Sequence, residues 1–206
     1  MHQLLLATRN PHKMREFAEI LGPQFNLSDL AKLPEVPVVE ETGRTFEENA
    51  ILKALAVSRP APGLVVADDS GLEVAALGGD PGVYSARYAS ASASDEQNVA
   101  KLLSRLQQVD PDRRNPFARF CCVLALASAG KLLRIFSGTV AGLIVSPARG
   151  KSGFGYDPVF VPEGFTETFA ELGAGEKNRI SHRARAIAQL RDYLSGKSAA
   201  EEQYSS

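Results

Sequence analysis

Residues 4–21 read LLLATRNPHKMREFAEIL, and this stretch sets the fold class. Leu4 to Ala7 is a short apolar run with the length of a buried strand. Asn10 can cap a helix whose first position, Pro11, has no N–H to satisfy. Met14, Phe17, Ala18 and Leu21 then recur at i, i+3, i+4 and i+7, and Gly22-Pro23 ends the helix. A strand feeding a helix through a tight turn is the building unit of an α/β sheet, and the helix N-terminus, with its unpaired N–H groups, is a natural anion site. Thr8, Asn10 and Lys13 stand at that point, so phosphate is the guest the segment suggests. Plain capping by Asn10 and a solvated Lys13 are the alternative.

Outward from this unit, the capping box Thr45-x-x-Glu48 opens a second helix that should run to about Val57, before Pro60 and Pro62. Lys53 falls among Phe46, Ala50 and Val57 on its apolar stripe, where a lysine needs a partner unless it snorkels out at the edge. Leu64 to Ala67 reads as a buried strand that ends at Asp68-Asp69-Ser70-Gly71, followed by the glycine-rich loop Gly78 to Gly82. Ser94 can cap a third helix carrying Val99, Leu102, Leu103 and Leu106. Phe117–Ala127 and Lys131–Ser137 read as a hairpin across Ser128-Ala129-Gly130, with a further strand over Thr139–Val145. A long loop over Arg149–Gly164 and one last helix carrying Ile180, Ala184, Ile187 and Leu194 complete the chain. The expectation is α/β with a mixed sheet, a single domain over residues 1–195 and a polar tail over 196–206.

At 206 residues and 44% hydrophobic, the chain can bury one sizeable core. Lys+Arg 23 against Asp+Glu 24 gives a net charge of -1, which argues against nucleic acid or an anionic membrane as partner, so any anion site must be built locally. Cys121 and Cys122 are adjacent and would point to opposite faces of a strand, which disfavours a disulfide or metal site and suits a reducing cytoplasm. No apolar run approaches the ~18 residues of a membrane span, and the N-terminal apolar stretch is too short for a signal peptide.

The acids fall in three groups: Glu40-Glu41, Asp68-Asp69 and Asp157. Paired acids at the end of a buried strand are costly unless they hold a cation or do acid–base work, and a hard, oxygen-only site suits Mg2+. Alternation sends Asp68 and Asp69 to opposite sides, so one of the two faces the reaction. Exposed, turn-forming aspartates are the other reading. In Ser152-Gly153-Phe154-Gly155-Tyr156-Asp157-Pro158 an aromatic ring stands between glycines, where a base could stack on Phe154; a plain surface loop is the alternative. Pro147 to Ser152 imitates the end of a phosphate-binding P-loop, but Val145 occupies the position that needs glycine. Glu176 to Arg183 places Lys177, Arg179, His182 and Arg183 around the start of the last helix, against its dipole, which asks for an anionic ligand.

Taken in order, Thr8-x-Asn10-x-x-Lys13, Glu40-Glu41-Thr42-Gly43 with Thr45-Phe46-x-Glu48-Asn49-Ala50, Ala67 to Leu72, Pro81 to Arg87, Gly153 to Pro158 and Ser181-His182-Arg183 closely resemble the Ham1/RdgB family of inosine triphosphate pyrophosphatases, from Leu4 to about Leu194. The resemblance implies a long central mixed sheet flanked by helices, two lobes with the active site in the cleft between them, and a homodimer. It implies hydrolysis of noncanonical purine nucleoside triphosphates (ITP, dITP, XTP) to monophosphate and pyrophosphate with Mg2+. Asp69 would be the catalytic base and a metal ligand, with Glu40 or Glu41 as its metal partner. Thr8, Arg9, Asn10, Pro11, His12, Lys13, Lys53, Ser70, Lys177 and Arg183 would contact phosphates or substrate. Phe154, Gly155, Tyr156, Asp157, His182 and Arg183 would form the base pocket. The family's first loop commonly reads Thr-Gly-Asn; Arg9 replaces that glycine and is a candidate extra phosphate contact. A Maf-like pyrophosphatase fits the motifs far less well, a non-catalytic nucleotide sensor would not need the acids, and a nucleic-acid module is at odds with the charge.

Overall fold

The structure, a computed structural model, describes residues 2–33, 36, 39–109 and 116–196. Its elements are β1 (His2–Leu6), α1 (Pro11–Leu21), β2 (Phe25–Asp29), α2 (Phe46–Ser58), β3 (Leu64–Val74), α3 (Asp95–Val109), β4 (Phe117–Ser128), β5 (Lys131–Ile144), β6 (Phe160–Pro162), α4 (Phe169–Ile180) and α5 (His182–Leu194). They build a six-stranded sheet in the order β2-β1-β3-β4-β5-β6. The pairs of β1 with β2 and β3 are parallel, and those from β3 through β6 are antiparallel, so the expected mixed α/β sheet is present.

Alternation along β3 sorts its neighbours. Val65 and Ala67 face α2 and share a core with Ala50, Ala54 and Val57. Val66, on the other face, joins Phe17, Leu21, Leu124 and Ile187 beneath α1 and α5. Further along that second face Leu72 and Val74 join another core with Leu102, Phe120, Phe160 and Phe169. Asp68 and Ser70 lie between these two cores on one face, and that gap is the cleft between the lobes.

Several expectations are corrected. β3 does not stop before Asp68-Asp69-Ser70-Gly71 but runs through them to Val74, because β4 pairs with every one of these residues. The strand expected at Thr139 is the continuation of β5, unbroken across Gly138. Glycine is required there by close packing: a Cβ would lie 2.2 Å from the His182 carbonyl of α5. The loop after Arg149 contains β6, and the last helix is two helices broken at Ser181, whose side chain accepts from the Ala184 N–H and caps α5. On α1 Ala18 is exposed, while Glu16, outside the apolar stripe, is buried. In the capping box Thr45 accepts from the Glu48 N–H as expected, but Glu48 reaches the Arg44 N–H instead of the cap. Apart from Gly196, the C-terminal tail lies outside the described residues.

The hairpin turn falls where it was expected, with Ala129 at φ +48° and Gly130 at φ +74°, the left-handed pair that a two-residue turn between twisted strands requires. Both cysteines are free and buried. No helix among the described residues is long and apolar enough to cross a membrane.

Candidate active site

The site forms where β1 ends. β3 is paired with β1 only as far as Val66, so beyond it Asp68, Asp69 and Ser70 sit on a strand held by β4 alone. Into the space left by β1 comes the turn Thr8–Asn10 and the N-terminus of α1. Asn10 accepts from the N–H groups of His12 (2.9 Å) and Lys13 (3.3 Å), and Thr8 Oγ1 accepts from the Asn10 N–H at 3.1 Å. The crevice outside the carboxyl end of such strands is the usual ligand position of open α/β sheets.

On one face of β3, Asp68 is enclosed by cations. Its carboxylate accepts from Lys13 Nζ, from Arg183 Nε at 2.8 Å and from Ser70 Oγ at 2.9 Å. Burial opposes its ionisation, but Arg183 and Lys13 overcome that and hold its pKa well below the ordinary range. Arg183 is itself fully buried and also donates to Ser70 Oγ (2.7 Å) and to Glu16. Glu16 then pairs with Lys177 Nζ at 2.8 Å, and the same ammonium lies 2.5 Å from Asp157 Oδ2. Asp157 also accepts from the Phe154 N–H at 2.9 Å. Burial raises the pKa of Asp157 even against Lys177.

The other face holds the second acid. Asp69 receives Lys53 Nζ at 2.8 Å and Asn49 Nδ2 at 3.3 Å. Lys53 Nζ also reaches Glu41 Oε1 at 2.9 Å and the Asp68 carbonyl at 2.7 Å, and Glu41 is held from behind by Arg87 Nη1 at 2.8 Å. Lys53 thus has the partners its place on the stripe demanded. Burial raises the pKa of Asp69 in spite of Lys53, and the nearby Glu41 charge adds to the rise. Glu41 moves the other way: burial would raise it, but Lys53 and Arg87 bring it down. These acids fit a divalent cation. Two carboxylates already bracket one positive charge, the Lys53 ammonium, at 2.8 and 2.9 Å. Among the described residues no group of three or more His, Cys, Asp or Glu converges on one point, and Asp69 and Glu41 are the two that could hold a cation here.

Ten of the anticipated residues line the cleft together: Asn10, Lys13, Ser70, Phe154, Gly155, Tyr156, Asp157, Lys177, His182 and Arg183. His182 stacks on Phe120, with ring centroids 4.7 Å apart and planes at 8°. Its Nδ1 is buried without a hydrogen-bond partner; burial and the neighbouring Arg183 and Lys177 hold the imidazole neutral, its pKa well below the ordinary value. Tyr156 donates from its hydroxyl to the Ser85 carbonyl at 2.9 Å, tying the loop to the opposite wall.

The remaining residues lie elsewhere. Lys53, Asp69 and Glu41 form the group across β3, Glu40 is exposed beside it, and Pro11 and His12 are exposed on the first turn of α1. Arg9 donates to the Val36 carbonyl and is not among the residues that line the cleft. The charge cluster from Glu176 to Arg183 is divided by the helix break. Lys177 and Arg179 sit in the last turn of α4, where cations are favoured; only Arg183 works against a helix N-terminus, and Asp68 and Glu16 compensate it. Asn49, Ser85 and Arg87 lie in stretches that carry the family resemblance but are given no site role there, and Glu16 lies in no motif at all. For Glu16 the one signal available was an acid two positions from the edge of an apolar stripe in a chain rich in cations downstream.

A Ham1 family model matches residues 4–193. The chain is 51% identical over 196 residues to the dITP/XTP pyrophosphatase of Geobacter sulfurreducens, covering 94% of this chain and 97% of that protein. To the dITP/XTP pyrophosphatase of Bacillus subtilis it is 46% identical over 195 residues, 94% and 98% of the two chains. Among solved structures, a HAM1 protein from Coxiella burnetii superposes with a TM-score of 0.84 at 40% identity, covering 95% of this chain and 100% of the other. The Ham1 protein of Staphylococcus aureus gives 0.82 at 42% identity, covering 95% and 99%. A match over so much of the chain, at such identity and with the sheet in common, places the protein plainly: it belongs to the Ham1 family.

Proposed function

We propose that the protein hydrolyses noncanonical purine nucleoside triphosphates such as dITP, ITP and XTP to the monophosphate and pyrophosphate, in the cytoplasm and as a homodimer. The observation that carries the reading is that β3, beyond its pairing with β1, presents the buried acid Asp69 with Lys53 and Glu41 on one face and a cleft lined by Lys13, Lys177 and Arg183 on the other. The dITP/XTP pyrophosphatases that share about half of its residues support the substrate class.

A triphosphate carries roughly four negative charges, so the acids of the site would repel it without compensating cations. Lys13 at the α1 N-terminus and Lys177 on the opposite lobe supply such charge across the cleft. Asp69, its pKa lifted by burial, takes the proton of a water directed at the α-phosphorus, and pyrophosphate leaves. Mg2+, when held by Asp69 and Glu41, would neutralise phosphate oxygens. Of the two neighbouring glutamates, Glu41 is the one that shares Lys53 with Asp69. The base would lie between Phe154 and His182, where buried donors left unpaired by the wrong base cost selectivity of up to ~10⁴-fold.

The purified protein incubated with MgCl2 and dITP, XTP, ITP, GTP or ATP should release monophosphate and pyrophosphate from the first three and largely spare the last two. Release of orthophosphate and diphosphate, or equal turnover of all five, would overturn the reading.

A further inference from the structure

Phe154 is a partition. It lines the cleft, and it also lines a separate groove on the outer side of the loop, formed with His12, Arg15, Glu16 and Glu19. Arg183 lines only the cleft and stands 5.7 Å from the Phe154 ring centroid. His12 lines only the outer groove, and its imidazole stacks on the same ring, with centroids 5.2 Å apart and planes at 19°. One face of the ring is therefore backed by His12, while the Lys177 ammonium, which lines both spaces, stands 4.5 Å from the ring centroid.

The backing has work to do. Gly153 and Gly155, at φ +80° and +62°, flank Phe154, so hydrogen bonds from the Phe154 and Gly155 N–H groups to Asp157 and Asp95 hold the backbone but no neighbouring Cβ packs against the ring. His12, in contrast, is on rigid ground, in the first turn of α1 with its N–H donated to Asn10. That turn is the one that carries Lys13, a cation of the cleft proposed to meet the phosphates.

Resting on the reading of Phe154 as the base-stacking ring, we propose that His12 is a positioning residue for nucleobase affinity: it holds the Phe154 ring from behind, and does not act as a phosphate contact. Because one helical turn carries both the phosphate end of the cleft and the brace of the stacking ring, the two ends of the nucleotide are registered against each other through it.

A stacked aromatic pair of this kind corresponds to roughly two- to tenfold in affinity. His12→Ala should raise KM for dITP by about that factor with kcat within twofold, should weaken inosine monophosphate as an inhibitor by the same factor, and should leave inhibition by pyrophosphate unchanged. His12→Phe, which keeps the stack and loses every hydrogen bond, should restore wild-type KM. The chain has no tryptophan, so Phe154→Trp adds a single tryptophan whose emission can be excited apart from the five tyrosines. Its anisotropy should fall when His12→Ala is added. Pyrophosphate inhibition weakening in step with KM, failure of His12→Phe to rescue, or no change in His12→Ala would each overturn the proposal. Phe154→Ala separates the two readings: an unchanged KM for dITP removes base stacking itself, and the role of His12 with it. A raised KM beside a silent His12→Ala removes only His12.

Discussion

Asp68 and Asp69 are adjacent in sequence and opposite in chemistry, because a strand turns successive side chains to opposite faces. Asp68 is an anchor, locked between Lys13 and Arg183, while Asp69 is held above its ordinary pKa by burial. Asp69→Asn should lower kcat by about 10²- to 10⁴-fold with an unchanged circular dichroism spectrum, the loss expected for a general base; wild-type turnover would remove Asp69 from the chemistry. Glu16 is the residue whose pH dependence is cleanest to read. Burial opposes its charge, but Arg183 and Lys177 bring its folded pKa below 4.5. A carboxylate depressed in the folded state stabilises the protein fully above its unfolded pKa and loses that contribution as pH falls through the folded value. Glu16→Gln should therefore cost about 3 kcal/mol at neutral pH, where Lys177 and Arg183 lose a partner. Urea melts should show that difference shrinking below pH 4.5. An equal loss at pH 3 and pH 7 would deny the linkage.

At the scale of elements, α5 matters because it carries His182 and Arg183 into the cleft, and its height over the sheet is set by Gly138. A methyl group there would meet the His182 carbonyl at 2.2 Å and the Ala186 nitrogen at 2.8 Å, both backbone atoms that cannot swing aside. Gly138→Ala should destabilise by about 1–3 kcal/mol in thermal melts, the usual cost of overpacking. It should also raise KM for dITP, since α5 must lift with the two site residues on it. A KM equal to wild type would mean that the helix accommodates the methyl by sliding and not by lifting. The sequence gives the hairpin, the first helix and its cap, and the third helix directly, because turn residues and capping side chains act over a few positions. It does not give the extension of β3 through four polar residues, since their pairing with β4 depends on a strand some fifty residues away.

Over the whole molecule, a net charge of -1 coexists with a cleft whose cations are drawn from two distant segments, Lys13 from one and Lys177 and Arg183 from the other. Substrate attraction is thus local and partly screened by salt. KM for dITP measured from 50 to 500 mM KCl should rise several-fold while kcat changes little, and the protein should not retard DNA in a gel at physiological salt. A flat KM would show that the cleft cations are already neutralised by Glu16, Asp68 and Asp157. The sequence by itself determined the class of sheet, the helix N-terminus that suits an anion, and the family, because these are written in local periodicity and short motifs. Which cation meets which acid was decided only by the tertiary structure. Lys53 with Glu41 and Asp69, Arg183 with Asp68 and Glu16, and His12 behind Phe154 are contacts across 12 to 167 positions. Only the packing of helices on the two faces of β3 brings such residues within reach, and no local pattern records it.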